Sequence, residues 1–334
     1  MPELHAYCTY FDKGYLSRGL ALIDSLRQNG DNADVYVLAL DQETQDFLDA
    51  SGLPGVHTLN ITDIEVSEPT LLPLRSLRSR MEYYFTCTPL LIRHVMKKLD
   101  TPGSVTIYLD GDLFFFDDPA RVITALETDS VGIIEHRYPL KAARKLEKFG
   151  RFNVGWVGFR DDTNGQKVLN WYRERTLEWC SDVPENGKYA DQGYLNWFPD
   201  FSGVRILGSA GFNLAPWNSA RHALRVGASD AILVDGEPLV FFHFHGLRKV
   251  GRWFATSQLI YRAPLSEILR RRIYQPYVDV LSQKDAIVLT ALGPSTSVKK
   301  RGSGWQGFLF RGAKAISDRV TILTRNGILP SSES

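Results

Sequence analysis

Along the first half of the chain, short apolar runs alternate with segments in which apolar residues recur every three or four positions. Leu4 to Thr9 predicts a short strand, and Leu20, Ile23 and Leu26 then fall on one face of a helix. Val35 to Leu40 is a continuous apolar run, as expected of a strand covered on both faces, and Gln42 to Ala50 predicts a second helix. A third helix is expected over roughly Ser79 to Lys98, followed by a strand that enters Asp110. Val131 to Ile134 predicts another buried strand, ahead of a lysine- and arginine-rich helix at Lys141 to Lys148. This alternation implies an α/β protein with a mostly parallel sheet and helices on both faces. No internal repeat is visible. Ligands of such sheets sit beyond the carboxyl ends of the strands.

Ile107 to Phe116 places two carboxylates, Asp110 and Asp112, inside an otherwise apolar stretch. Burying that charge is costly unless a cation or ligand compensates it. Gly111 between them lets the backbone turn so that both side chains face one point. Asp-x-Asp at a strand end suits a hard divalent cation with positions left open for phosphate. The alternative is a solvated Asp-Gly turn closing a β-hairpin, and the pair alone does not separate the two.

Three further segments carry candidate chemistry. Phe152 to Phe159 intersperses Gly155 and Gly158 in an apolar strand, which marks a bulge or a close approach, and Asn153 there offers an amide to a sugar hydroxyl. Asp191 and Gln192 open a helical segment with Leu195 and Phe198 directed inward, so Asp191 is either an N-cap or, with Gln192, a contact to a polar ligand. In Phe241 to Lys249, His243 and His245 alternate on a strand and are therefore expected to point to opposite faces, so both are not expected on one ion. His243, Gly246 and Lys249 together offer a metal ligand, a close backbone approach and an ammonium for phosphate.

At 334 residues the chain holds one large domain or two modest ones, and 44% apolar with 23% charged residues is ordinary for a globular enzyme. A net charge of +1 gives no reason to expect a nucleic-acid partner. Cys8, Cys87 and Cys180 lie far apart with no Cys-x-x-Cys pair, which fits a reducing compartment and no disulfide framework. The N-terminus lacks a basic n-region and an apolar h-region, and no run has the length of a membrane span. A cytoplasmic protein is expected, in solution or peripheral on the inner face of the membrane. Pro294 to Gly304 is a basic linker, after which Trp305, Phe308, Leu309, Gly312, Ile316, Val320 and Leu323 share a helix face. Residues 299–323 therefore predict either an interfacial membrane helix or a helix packed on the domain or on a second copy.

Asp-x-Asp after a strand, Phe-Asn-x-Gly, Asp-Gln opening a later helix and His-x-x-Gly-x-x-Lys occur in that order. Over about residues 4 to 250 this resembles the family-eight retaining glycosyltransferases, the group of glycogenin and the bacterial lipooligosaccharide galactosyltransferases. It resembles more closely the uncharacterised glycosyltransferases of bacterial surface-polysaccharide clusters. The resemblance implies a GT-A fold, a Rossmann-like mixed sheet with helices on both faces, and a C-terminal helical tail. The pattern along the chain predicts a catalytic domain over 1–284 (nucleotide-binding half 1–113, donor and acceptor half 114–284), then a tail over 285–334. The resemblance implies manganese or magnesium held by Asp110, Asp112 and His243 against a nucleotide-sugar donor, a UDP-sugar, with Lys249 and Gly246 at the diphosphate. Asn153, Gly155, Asp191 and Gln192 would meet the donor sugar, the last two at the reacting carbon. Thr9, Phe11, Asp12 and Tyr15 match the base-binding segment loosely, and of Arg78 and Arg80 the second is favoured near the donor. The family follows its lysine with Pro-Trp, whereas Val250-Gly251 stands here. The acceptor would be a glycan or a lipid-linked sugar, with Arg137, Tyr138, Trp217 and Trp253 as candidate contacts.

Two rivals use the same residues. In a haloacid-dehalogenase-like phosphatase Asp110 would be the nucleophile and Asp112 the general acid, but that motif lies near an N-terminus and continues with Gly-Thr, where Leu113-Phe114 stands here. A non-catalytic nucleotide-sugar-binding scaffold would keep the motifs without turnover.

Overall fold

The computed structural model describes residues 4–185, 187–293 and 320–333. β1 (His5–Phe11), α1 (Leu16–Gln28), β2 (Val35–Ala39), α2 (Gln42–Ser51), β3 (Val56–Asn60) and α3 (Ile61–Ser67) form the first alternating unit. α4 (Leu74–Leu77) and α5 (Arg80–Leu99) lead to β4 (Val105–Leu109) and β5 (Leu113–Phe115). Then come α6 (Ala120–Thr124), β6 (Val131–Glu135), α7 (Ala143–Phe149), β7 (Phe152–Arg160), α8 (Thr163–Glu178) and β8 (Val204–Ile206). Short strands follow: β9 (Leu224–Val226), β10 (Ile232–Val234), β11 (Glu237–Pro238), β12 (Phe241–His243), β13 (Arg248–Val250) and β14 (Trp253–Ala255). α9 (Gln275–Leu292) and β15 (Gly327–Ile328) complete the described elements. Local signals set the helix ends. Asp41 accepts from Thr44 N ahead of α2, and Ser79 and Glu82 form a reciprocal capping box at α5.

The central sheet has seven strands in the order β3-β2-β1-β4-β7-β6-β8. β7 is antiparallel to both its neighbours, and every other pair is parallel. The expected mostly parallel sheet is therefore mixed through a single strand. From β1 the chain winds outward through β2 and β3 and then crosses back to β4, so the order reverses between β1 and β4. Their carboxyl ends carry Phe11 and Leu109, and the crevice beyond such a switch point is where ligands bind in open α/β sheets.

Alternation along each strand feeds two cores. Ala6, Cys8 and Tyr108 pack with Leu91 and Val95 of α5 and Val168 of α8 on one face. Tyr7, Val37 and Ile107 pack with Leu16, Leu20 and Ile23 of α1 on the other. A third core gathers Phe242, Phe244 and Phe254 with Tyr274 and Tyr277. Cys8, Cys87 and Cys180 are buried and free.

Several expectations are revised. β4 does not fold back on β5 as a hairpin: β4 lies in the main sheet, whereas β5 pairs with β12 in a separate ribbon. The boundary expected after residue 284 falls inside α9, which runs on to Leu292 and is tied to α1 by Lys284 and Asp24. Beyond it, Ile328 pairs with Phe254, so the chain returns to the domain. Of the predicted tail face, Trp305, Phe308, Leu309, Gly312 and Ile316 lie outside the described residues. Val320 and Leu323 are described and exposed. Among the described residues no helix is long and apolar enough to cross a membrane.

Candidate active site

Pairing of β5 with β12 brings distant parts of the chain together. The antiparallel register sets His243 opposite Leu113, and Phe244 N donates to Asp112 O at 2.9 Å. Asp112 is thereby fixed beside the end of β12. Asp110 is anchored from the other side, its N–H donating to Gly155 O of β7 at 2.9 Å. His243 Nε2 stands 3.0 Å from Asp112 Oδ1 and 3.8 Å from Asp110 Oδ2. Both carboxylates and this imidazole thus converge on one point at the switch of strand order.

His245 joins them, contrary to the expectation of opposite faces. Ligand atoms of Asp112, His243 and His245 all lie within 4.8 Å of one another. β12 ends at His243, and Gly246 adopts a φ of +72°, so the chain leaves extended geometry and the two-residue alternation no longer applies. A His-x-His-Gly sequence carries that signal in its glycine.

His243 is oriented from behind by Asn153. Asn153 Oδ1 accepts from Gly155 N at 3.2 Å, which settles which end of the amide is the oxygen, and it lies 3.2 Å from His243 Nδ1. His243 Nδ1 must therefore carry the proton and donate, which turns Nε2 toward the carboxylates. Gly155 is required for this approach, because a Cβ there would lie 2.8 Å from His243 Nδ1 and 2.7 Å from Asn153 Oδ1. Gly155 thus faces protein side chains.

Burial and neighbouring charge act against each other in this cluster. Burial pushes the Asp110 carboxyl up to about 6, partly opposed by His243. Burial also raises Asp112, but the charge and hydrogen bond of His243 outweigh it and bring it to about 2. The Tyr15 phenol is pushed up to about 12, first by Asp112 and then by burial. The donor set fits a divalent ion. Adjacent ligands at right angles on an octahedral ion with bonds of about 2.1 Å stand about 3 Å apart. The 3.0 Å between Asp112 and His243, which here are hydrogen-bonded to each other, is compatible with that separation. Mixed carboxylate and imidazole donors suit manganese better than magnesium.

A cavity of about 460 Å³ opens over this cluster. Phe11, Asp12, Tyr15, Met81 and Tyr84 line one part, with Asp110, Gly111, Asp112, His243 and His245 at the cluster and Tyr138, Asn153, Asp191, Gln192, Trp217 and Tyr261 in the rest. Arg80 lies outside the lining but donates to Tyr84 Oη at 2.6 Å and lies 3.6 Å from Asp12, both of which line the cavity. Arg78 instead donates to the carbonyls of Thr176 and Leu177 and serves packing. Thr9 is buried outside the lining.

Asp191 caps the 3-10 helix Gln192–Asp200 through Gln192 N, and burial pushes its carboxyl up to about 7. Gln192 is held by three bonds: its Oε1 accepts from Asn153 Nδ2 and Val154 N, and its Nε2 donates one N–H to Phe149 O. Lys249 lies outside the cavity lining, paired with Asp285 at 2.9 Å, and the Cβ position of Gly246 faces Ser257. Trp253 lies on β14 outside the lining, and Arg137 donates to the carbonyls of Ser209 and Phe212. Arg18 was not foreseen. It donates to Leu247 O at 2.9 Å and lies over the Tyr15 ring at 4.7 Å, tying α1 to the loop that follows His245.

No protein-family model matches the chain. The uncharacterised protein YfnF of Bacillus subtilis is 32% identical over 252 residues, 73% of this chain and 82% of that protein. YfnD of the same organism is 31% identical over 282 residues, 83% of this chain and 88% of that protein. Among solved structures, an active-site mutant of LgtC superposes with a TM-score of 0.51 at 16% identity, over 83% of this chain and 95% of that chain. LgtC bound to donor and acceptor sugar analogues, described as a galactosyltransferase, gives 0.49 over the same shares. The likeness to the LgtC mutant establishes the GT-A fold, and the haloacid-dehalogenase alternative, which requires another sheet, falls with it. By identity over most of both lengths, the chain belongs to the family of YfnF and YfnD, built on the fold of the GT-A glycosyltransferases.

Proposed function

We propose that this protein is a manganese-dependent retaining glycosyltransferase that moves a sugar from a UDP-sugar to a hydroxyl of a glycan or lipid-linked acceptor in bacterial surface-polysaccharide synthesis. One observation carries the reading: Asp112, His243 and His245 meet, with Asp110 3.8 Å from His243, at the switch point of a GT-A sheet, beneath a cavity sized for a small-molecule ligand. Such a cluster has little structural purpose without a cation, since like charges in a buried site are otherwise costly. The name of LgtC, a galactosyltransferase, agrees with it.

Asp110, Asp112, His243 and His245 would hold the ion. The ion, when bound, supplies Lewis-acid neutralisation of charge on the departing diphosphate. Asn153 keeps the His243 proton on Nδ1 and leaves Nε2 as a donor atom. Phe11, Asp12, Tyr15 and Arg80 surround the part of the cavity assigned to the nucleoside. Lys249 reaches the diphosphate once its pair with Asp285 opens, adding positive charge where negative charge develops. In the transfer, the bond from the anomeric carbon to the diphosphate oxygen breaks as the acceptor oxygen bonds to that carbon. The acceptor proton leaves on the diphosphate. Attack on the face the diphosphate vacates preserves configuration. Burial raises the Asp191 carboxyl and favours its neutral form, and Gln192 keeps one Nε2 N–H beyond its bonds to Asn153, Val154 and Phe149.

The test is hydrolysis and transfer with a panel of UDP-sugars, with and without manganese, in the wild type and Asp112→Asn. The reading expects manganese-dependent turnover that falls by at least about 100-fold in the variant. UDP–manganese binding without turnover of any donor would point to the scaffold, and undiminished turnover in Asp112→Asn would remove the metal role.

A further inference from the structure

Helix α7 stands beside the cavity and meets it through Phe149. The segment 141–151 carries Lys141, Arg144, Lys145, Lys148 and Arg151 against one acid, Glu147. Arg151 pairs with Glu135. Among the described residues, Lys141, Arg144, Lys145 and Lys148 have no carboxylate at ion-pair distance. Two of these cations are held on rings that line the cavity: Lys145 Nζ lies 4.2 Å from the Tyr261 centroid, and Lys148 Nζ 5.0 Å from that of Phe149. A cation–π contact attracts an ammonium through the ring face and leaves its N–H donors available to an anion. The Lys145 ammonium is held below its usual range by burial and then by Lys148, a strain that an anion between them relieves.

The wall behind these cations is aromatic. Tyr138 stacks on His136 at 4.6 Å, and Trp217 meets His243, His245 and Tyr261 edge-on. Flat rings at a cavity wall offer stacking area for a sugar, with polar edges for its hydroxyls. Gln192 Nε2 bonds to Phe149 O and fixes the end of α7 to this wall. On the same segment Leu140 is 98% exposed and Leu146 45%.

Resting on the glycosyltransferase reading above, we propose that the acceptor is a sugar phosphate, its ring seated against Tyr138 and Tyr261 and its phosphate held by Lys145 and Lys148. The phosphate belongs either to a soluble glycan or to a lipid-linked sugar, and the two exposed leucines favour the lipid-linked form.

The test is a titration of the full chain with glucose 1-phosphate, with methyl glucoside, and with polyprenyl glucosyl phosphate in phosphatidylcholine vesicles. Each is run with UDP and manganese saturating and again with neither. At least one phosphate form is expected to bind about tenfold or more tighter than methyl glucoside, as charge-assisted hydrogen bonds require. The form that binds identifies the source. Lys145→Ala/Lys148→Ala is expected to lose that preference and Lys145→Arg/Lys148→Arg to keep it, with unchanged melting temperatures showing that both fold. Equal binding of neutral and phosphorylated sugars, or a preference that survives in the alanine pair, would overturn the proposal. So would a loss that falls on UDP–manganese affinity, which would make the lysines donor contacts. Failure of the wild type to bind UDP with manganese counts against the donor reading alone, because the titration without nucleotide still reads α7.

Discussion

Asn153 Oδ1 and His243 Nδ1 stand 3.2 Å apart, and the oxygen is also claimed by Gly155 N, so the imidazole is obliged to donate from Nδ1. Strand β7 thereby sets the tautomer of a residue on β12 about ninety positions away. Replacing Asn153 with Ala is predicted to weaken manganese binding by about 10- to 100-fold, the usual cost of losing an outer partner of a metal-bound histidine. Manganese titration followed by electron paramagnetic resonance checks this. Unchanged affinity would show that Asn153 does not orient the ligand.

Asp191 makes stability depend on pH. Its carboxyl is raised to about 7 in the folded protein, chiefly by burial, from an ordinary value of 3.8. A raised folded value means that the folded state binds the proton more tightly, so the contribution is complete below pH 4 and is lost as pH rises through about 7. Asp110, raised to about 6, acts in the same direction. Urea unfolding of the metal-free protein is predicted to show stability falling between pH 4 and pH 8. Asp191→Asn is predicted to flatten that fall by up to a few kcal/mol. Equal slopes would refute the assignment.

Gly19 exists for Phe11. A Cβ at Gly19 would lie 2.2 Å from the Phe11 ring, which lines the cavity. Gly19→Ala is predicted to cost about 1–3 kcal/mol, as overpacking does, and to weaken UDP binding as Phe11 shifts. Denaturant unfolding and UDP titration read both effects.

The Lys249–Asp285 pair is exposed and adds little to stability. Lys249→Met is predicted to change unfolding free energy by less than about 1 kcal/mol while lowering UDP–manganese affinity several-fold. Asp285→Asn is predicted to raise that affinity, because the lysine no longer has to leave a partner. Equal affinity in both variants would exclude Lys249 from the diphosphate.

Much of the frame was legible because each element carries its own period. Val35–Ala39 is apolar on both faces and lies inside the sheet, and the Ser79–Glu82 box opens α5 within a residue of the expected start. The carboxylate pair was legible as a place that needs a compensating partner, and His243 stands 3.0 Å from Asp112. What was not legible depends on contacts between distant segments. The antiparallel course of β7 and the β5–β12 ribbon come from pairing, which local pattern does not encode, whereas the recruitment of His245 follows from the end of β12 at His243 and the turn at Gly246. Distant contacts likewise set Gln192, whose amide bridges β7 and α7, and Arg18, whose partner is the Leu247 carbonyl. α9 runs through the boundary expected at residue 284, and its apolar positions pack against α1 and the ribbon core.

The central claim is that one divalent ion joins the mid-chain carboxylates to the late histidines beneath a nucleotide. The most direct measurement is a crystal structure with manganese and UDP, using anomalous scattering to locate the metal. The account predicts one peak in contact with Asp110, Asp112, His243 and His245 and with the diphosphate. UDP bound in the cavity with no peak at those four side chains, or manganese bound elsewhere, would contradict it.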